Sequence, residues 1–121
     1  MANVNFIIGD ITIEAELRDT PTARKVLAAL PFESRGSYWG GEFYFDTPVE
    51  AAAEPDATDV VAPGTVAFWV AGNCLCLLWG PTPVSHGDEC RLASTANIVG
   101  EVINKDDLPR LKARSVRVEA A

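Results

Sequence analysis

The stretch Ala96-Asn97-Ile98-Val99-Gly100-Glu101-Val102-Ile103-Asn104 decides the reading of the fold. Its β-branched residues favour a strand, and a glycine at the centre of a strand marks a bulge or the bend of a barrel. Working outward, the chain repeats this pattern of short extended segments separated by turn residues. In residues 11–18, Ile11, Ile13, Ala15 and Leu17 alternate with Thr12, Glu14, Glu16 and Arg18, which gives a strand with one wet face. Residues 4–8 are a second apolar run, joined to it by Gly9-Asp10, a tight hairpin signal. Residues 37–39 and 42–45 flank Gly40-Gly41, and residues 65–70 and 74–79 flank Ala71-Gly72-Asn73, so two more hairpins are expected.

Helical spacing is confined to two places. Thr20 is placed to cap a helix with Pro21 in its first turn and Val26, Leu27 and Leu30 as its apolar stripe, and Pro31 stops it. Asp106 or Asp107 caps a second short helix through residues 108–112, before a last strand in which Val116 and Val118 alternate. Residues 50–59 and 80–94 read as long solvated loops. The total is about eight strands and two short helices, with no βαβ rhythm and no internal repeat. Such a chain is mainly β and is expected to form a closed β-barrel, because closure removes the exposed edges.

With 121 residues, the chain holds one domain, 1–121, large enough for a core without staples. Its 17 acidic against 10 basic residues, net −7, lack the basic stripe that phosphate-backbone binding requires, so nucleic acid is not an expected partner. No apolar run approaches the roughly 20 residues of a membrane-spanning helix, so no membrane partner is expected either. The first nine residues carry no basic residue and no cleavage-like site, so no signal peptide is expected. Three cysteines, an odd number, fit reduced thiols, and the expected location is cytoplasmic.

Several motifs carry a family resemblance. Thr20-Pro21-Thr22-Ala23, Trp39-Gly40-Gly41-Glu42-Phe43-Tyr44-Phe45, Pro63-Gly64-Thr65-Val66-Ala67-Phe68-Trp69, Trp79-Gly80-Pro81-Thr82-Pro83 and Ala96-Asn97-Ile98-Val99-Gly100-Glu101-Val102 stand in order along most of the chain. Together they resemble the small bacterial and archaeal cyclophilin-like proteins. The resemblance implies a cyclophilin-type barrel of about eight strands with a helix at each end. It does not carry an activity unless the site residues come with it.

In cyclophilins that isomerise X-Pro bonds, an arginine on a barrel strand lends hydrogen bonds to the twisted amide, and those bonds strengthen at the transition state. The resemblance would put that arginine in residues 38–45, which contain none. Arg35, a few residues earlier, is the substitute donor if the chain is an isomerase. The late histidine of those enzymes has no counterpart, since the single histidine, His86, sits in a Gly/Pro loop.

Cys74 and Cys76 share one strand face, and with His86 and Cys90 they make up the one combination resembling a Cys₃His zinc set. A Cys-x-Cys inside an apolar strand reads first as core packing, so no metal is expected. Ser85-His86 are adjacent without a nucleophile elbow, and no phosphate loop or dinucleotide fingerprint occurs, so no cofactor is expected.

The aromatic set Tyr38, Trp39, Phe43, Tyr44, Phe45, Phe68, Trp69 and Trp79 remains. Alternation turns about half of these side chains away from a barrel interior. The outward ones, with the polar residues of the matching motifs, give a groove set of Glu42, Tyr44, Trp69, Asn73, Thr82, Ser85 and Asn97 for a small molecule or peptide. Glu42, flanked by aromatics, stands out, since a part-buried carboxylate is either paired or functional. Three readings follow: a binding barrel without strong isomerase activity, an atypical prolyl isomerase using Arg35, and a structural subunit or homo-oligomer that buries its outer aromatics.

Overall fold

The structure, a computed structural model, describes residues 2–121. Nine strands and two short helices follow one another as β1 (Ala2–Ile8), β2 (Ile11–Leu17), α1 (Pro21–Ala29), β3 (Phe32–Tyr38), β4 (Glu42–Asp46), β5 (Thr58–Val61), β6 (Thr65–Trp69), β7 (Cys74–Leu78), β8 (Cys90–Val102), a 3₁₀ helix (Lys105–Arg110) and β9 (Ser115–Ala120). The strand order is β2-β1-β9-β3-β4-β7-β6-β8, and β2 pairs again with β8, so eight antiparallel strands form a ring. The ninth, β5, lies along β8 outside that ring.

Gly100 stands where the ring closes. Leu17 is opposite Gly100 and Glu16 opposite Glu101, while the register between β6 and β8 slips by one residue at Val66/Ala67. The slip is a β-bulge, which bends the strand and increases its twist. A Cβ at position 100 would overlap the Glu16 carbonyl oxygen and come within 3.0 Å of Leu17 Cα. Only glycine allows the two backbones to approach this closely.

The first hairpin forms as its alternation dictates. Ile8 is paired with Ile11 across Gly9 (φ +62) and Asp10, and Ile13, Ala15 and Leu17 are buried. Thr20 caps α1 by accepting a hydrogen bond from the Ala23 amide (3.3 Å), with Pro21 in the first turn. The principal core fills the ring, with Phe6, Ile13, Phe43, Phe45, Phe68, Leu75, Leu77 and Val118 at its centre and Ala23 and Val26 of α1 packed on it. A second apolar layer, containing Ala67, Cys74, Cys76, Leu78, Cys90, Leu92 and Ala96, covers the other face of β6 and β7. All five residues of β7 are therefore buried.

The structure departs from the sequence reading at four places. Residues 58–61 form β5, although Ala, Asp and Pro make residues 50–59 look like loop throughout; the ring itself has the expected eight strands. The first half of β8 lies within residues 80–94, whose prolines and glycines read as loop, and there Cys90 and Leu92 alternate into the second layer. Strand β3 starts at Phe32, because Phe32 to Arg35 pair with β9 and only residues 36–38 pair with β4. The second helix is a 3₁₀ turn capped at Asn104, whose Nδ2 donates to Asp107 (2.9 Å), so neither aspartate occupies the cap position. No helix among the described residues is long and apolar enough to cross a membrane.

Candidate functional site

Strand alternation builds the site. On β4, Phe43 and Phe45 enter the principal core, so Glu42 and Tyr44 point to the other face, above the second apolar layer. On β6 the same rule sends Phe68 inward and Trp69 to the outer layer. The Gly40-Gly41 turn between β3 and β4 lies flush on residues 80–82. Its backbone is tied there by the Gly41 amide donating to Pro81 O (2.7 Å) and the Trp79 amide to Gly41 O (2.9 Å). Gly40 has φ +61, and a Cβ on it would meet Pro81 O at 2.6 Å, so both its conformation and its surroundings demand glycine.

This turn sets Trp39 over a cleft of about 130 Å³ that is also lined by Glu42, Tyr44, Trp69, Leu92 and Ala93. Trp69 is oriented by its indole Nε1–H, which donates to Ser94 Oγ (2.7 Å). Glu42 is only 4% exposed, and its Oε1 is buried without a hydrogen-bond partner. Burial pushes its carboxyl above the ordinary carboxylate range, and the neighbouring Cys76 thiol offsets part of that rise.

A charge held this way should cost stability. The folded state keeps the Glu42 proton to higher pH than the unfolded chain does, so stability falls as pH rises from the ordinary value of 4.5 through the raised folded value. We expect Glu42→Gln to raise unfolding stability at pH 7 by about 1 kcal/mol. Chemical denaturation at several pH values should show that gain disappearing below the unfolded value. Asp19, Glu89 and Asp107 are held low by hydrogen bonds from Arg24, from Arg91, and from Asn104 with Arg110 respectively, which gives the opposite slope. Both proteins share those groups, so the difference between them isolates Glu42. A variant no more stable than the parent at pH 7 would contradict the reading.

Of the groove set read from the sequence, Glu42, Tyr44 and Trp69 meet at this cleft and the other four stand elsewhere. Thr82 is buried and donates to Arg91 O (2.5 Å), while Ser85 Oγ accepts from the Thr82 amide (2.9 Å). Thr82 fastens the 80–85 loop to β8 next to Leu92 and Ser85 braces Thr82 from within the loop, so neither lines the cleft. Asn73 forms the β6–β7 turn at φ +54. Asn97 is wholly buried: its Nδ2 donates to Thr22 Oγ1 and Ala52 O (both 2.9 Å), and its Oδ1 accepts from the Glu54 amide (2.8 Å). Glu54 Oε2 in turn accepts from the Thr22 amide (2.9 Å) and hydroxyl (2.5 Å), so Asn97 ties α1 and the 50–57 segment to β8.

Trp39, Leu92 and Ala93 were missing from that set. Trp39 was visible as an aromatic beside a glycine pair; Leu92 was hidden by reading residues 80–94 as loop.

Arg35 is exposed on β3, opposite Ser115, and does not line the cleft. Cys74, Cys76 and Cys90 are free and buried in the second layer, and His86 is exposed on its loop. Burial, reinforced by Asp46, pushes the Cys74 thiol up to about 12, and burial also raises Cys76 and Cys90. No group of three or more metal-ligating side chains gathers among the described residues.

No curated protein matches the chain. The solution structure of the hypothetical protein AF2241 from Archaeoglobus fulgidus is similar to it with a TM-score of 0.83 and 34% identity, over 99% of this chain and 95% of that one. A family model described as Cyclophilin-like matches residues 2–119. The chain thus belongs to the cyclophilin-like family.

Proposed function

We propose that this protein is a binding barrel that captures a small molecule or a peptide side chain in the cleft between β4, β6 and β8. The observation that carries this reading is Glu42, a buried carboxyl with one unpaired oxygen that lines a cleft walled by three aromatic residues. A buried carboxyl with one oxygen left unpaired is costly, and folds keep such groups where a ligand or a reaction uses them. The three free buried thiols suit a reducing compartment, in keeping with a cytoplasmic protein. Arg35 lies away from the cleft, and the cleft holds no other guanidinium to stabilise a twisted prolyl amide.

A ligand-observed NMR screen of small molecules and short peptides tests the proposal, with the tryptophan indole resonances as reporters. Trp39 and Trp69 line the cleft, whereas Trp79 packs against the principal core and serves as an internal reference. The expected hits shift Trp39 and Trp69 and leave Trp79 in place. Hits that never move those two resonances would overturn the assignment of the cleft. So would protease-coupled prolyl isomerisation well above the uncatalysed rate that is abolished by Arg35→Ala.

A further inference from the structure

Resting on the binding reading above, we infer that the cleft receives a compact organic cation, a methylated or alkylated ammonium group. Three aromatic side chains, Trp39, Tyr44 and Trp69, wall the cleft, and its one charged group is Glu42. Aromatic faces carry negative quadrupole charge and attract cations, most strongly once water is displaced. A cation seated on those rings' faces and beside the carboxylate is therefore favoured by both. An anion would meet Glu42 with no Lys, Arg or His in the lining to offset it. A neutral amide would supply a hydrogen bond to Oε1 but leave the buried charge uncompensated, whereas an ammonium group compensates the charge directly.

Size narrows the class further. Whole-ligand pockets run to roughly 300–1,000 Å³, and a cleft of about 130 Å³ holds a single head group. The rest of the ligand stays outside the cleft. A free quaternary amine and a methylated lysine side chain share this head group, and the two sources are separated by experiment.

The test titrates the full chain at constant ionic strength with choline and with its neutral carbon isostere 3,3-dimethylbutan-1-ol, following the Trp39 and Trp69 indoles. Choline is expected to bind at least tenfold more tightly than the alcohol, and Glu42→Gln is expected to erase that preference while the protein stays folded. Trp39→Ala, on a part-buried side chain, should weaken choline binding at least fivefold. A trimethyllysine peptide binding more tightly than choline assigns the head group to a protein partner, and the reverse assigns it to a free amine; either result supports the cation. The alcohol binding as well as choline overturns the ammonium class and leaves the cleft as a general binding site. Choline causing no shift at all also overturns it, and the broader screen then decides the cleft reading on its own.

Discussion

Gly100→Ala is expected to destabilise the protein by about 4 kcal/mol, and Gly100→Val to prevent folding altogether. The added methyl group would overlap the carbonyl oxygen of Glu16 and press on Leu17 Cα and Cδ2 at 3.0 Å. Two of these three atoms are backbone, so no rotamer change relieves the clash; β2 has to move away from β8. That movement breaks the pairing of Leu17 with Gly100 and of Glu16 with Glu101, which closes the ring. It also strains the Arg18 amide hydrogen bond to Val99 O (2.8 Å). Gly80→Ala makes the matched comparison. A Cβ there meets only Gly41 Cα at 3.7 Å, an ordinary contact, and a change within about 0.5 kcal/mol is expected. Urea unfolding of the three proteins checks this. Equal stabilities for the Gly100 and Gly80 variants would show that the ring does not depend on close backbone approach at residue 100.

The second large effect belongs to Asn97→Ala, for which we expect a loss of about 3 kcal/mol and a fall in Tm of roughly 10 °C. The substitution removes the hydrogen-bond partner of the part-buried Ala52 carbonyl and Glu54 amide and takes a donor from the buried Thr22 Oγ1. Three hydrogen bonds from one fully buried side chain are lost together, and the buried Thr22 hydroxyl is left with one partner fewer. The damage should be local as well as global. Hydrogen exchange should quicken in α1 and around Ala52 to Glu54, while the β6–β7 hairpin keeps its protection in proportion to the remaining stability. Choline affinity should hardly change, because Asn97 does not line the cleft. Normal stability together with impaired ligand binding would return Asn97 to the binding residues.

That contrast shows what was legible in the sequence. Ile11 to Leu17 announced their strand because one face is core and the other solvent, so alternation is complete. Gly100 was readable as a bend because glycine within a β-branched run has few other uses. Strand β5 was not readable: its four residues follow an Ala/Asp/Pro stretch, and its register with β8 is irregular. Within the candidate site, Glu42 was legible as a charge inside an aromatic strand. Asn97 was misplaced because a polar residue in a buried strand looks the same in sequence whether it serves a ligand or a neighbouring loop. Thr82 and Ser85 look like lining for the same reason. Only the fold shows that the Thr82 hydroxyl is spent on the Arg91 carbonyl and that of Ser85 on the Thr82 amide.

The order of strands in the ring also constrains how the molecule comes into being. Val4 stands opposite Ala120 and Ala15 opposite Val102, so both strands of the opening hairpin find their outer neighbours in the last part of the chain. Until then β1 and β2 form a two-stranded ribbon with bare edges, which is marginal on its own in water. Because the contacts that complete the ring join residues far apart in sequence, the chain must surrender most of its conformational entropy before they form. The longest of these closures pairs Val4 with Ala120 across β1 and β9, so that seam, more than the contact between Gly100 and Leu17, sets the entropic cost of completing the ring.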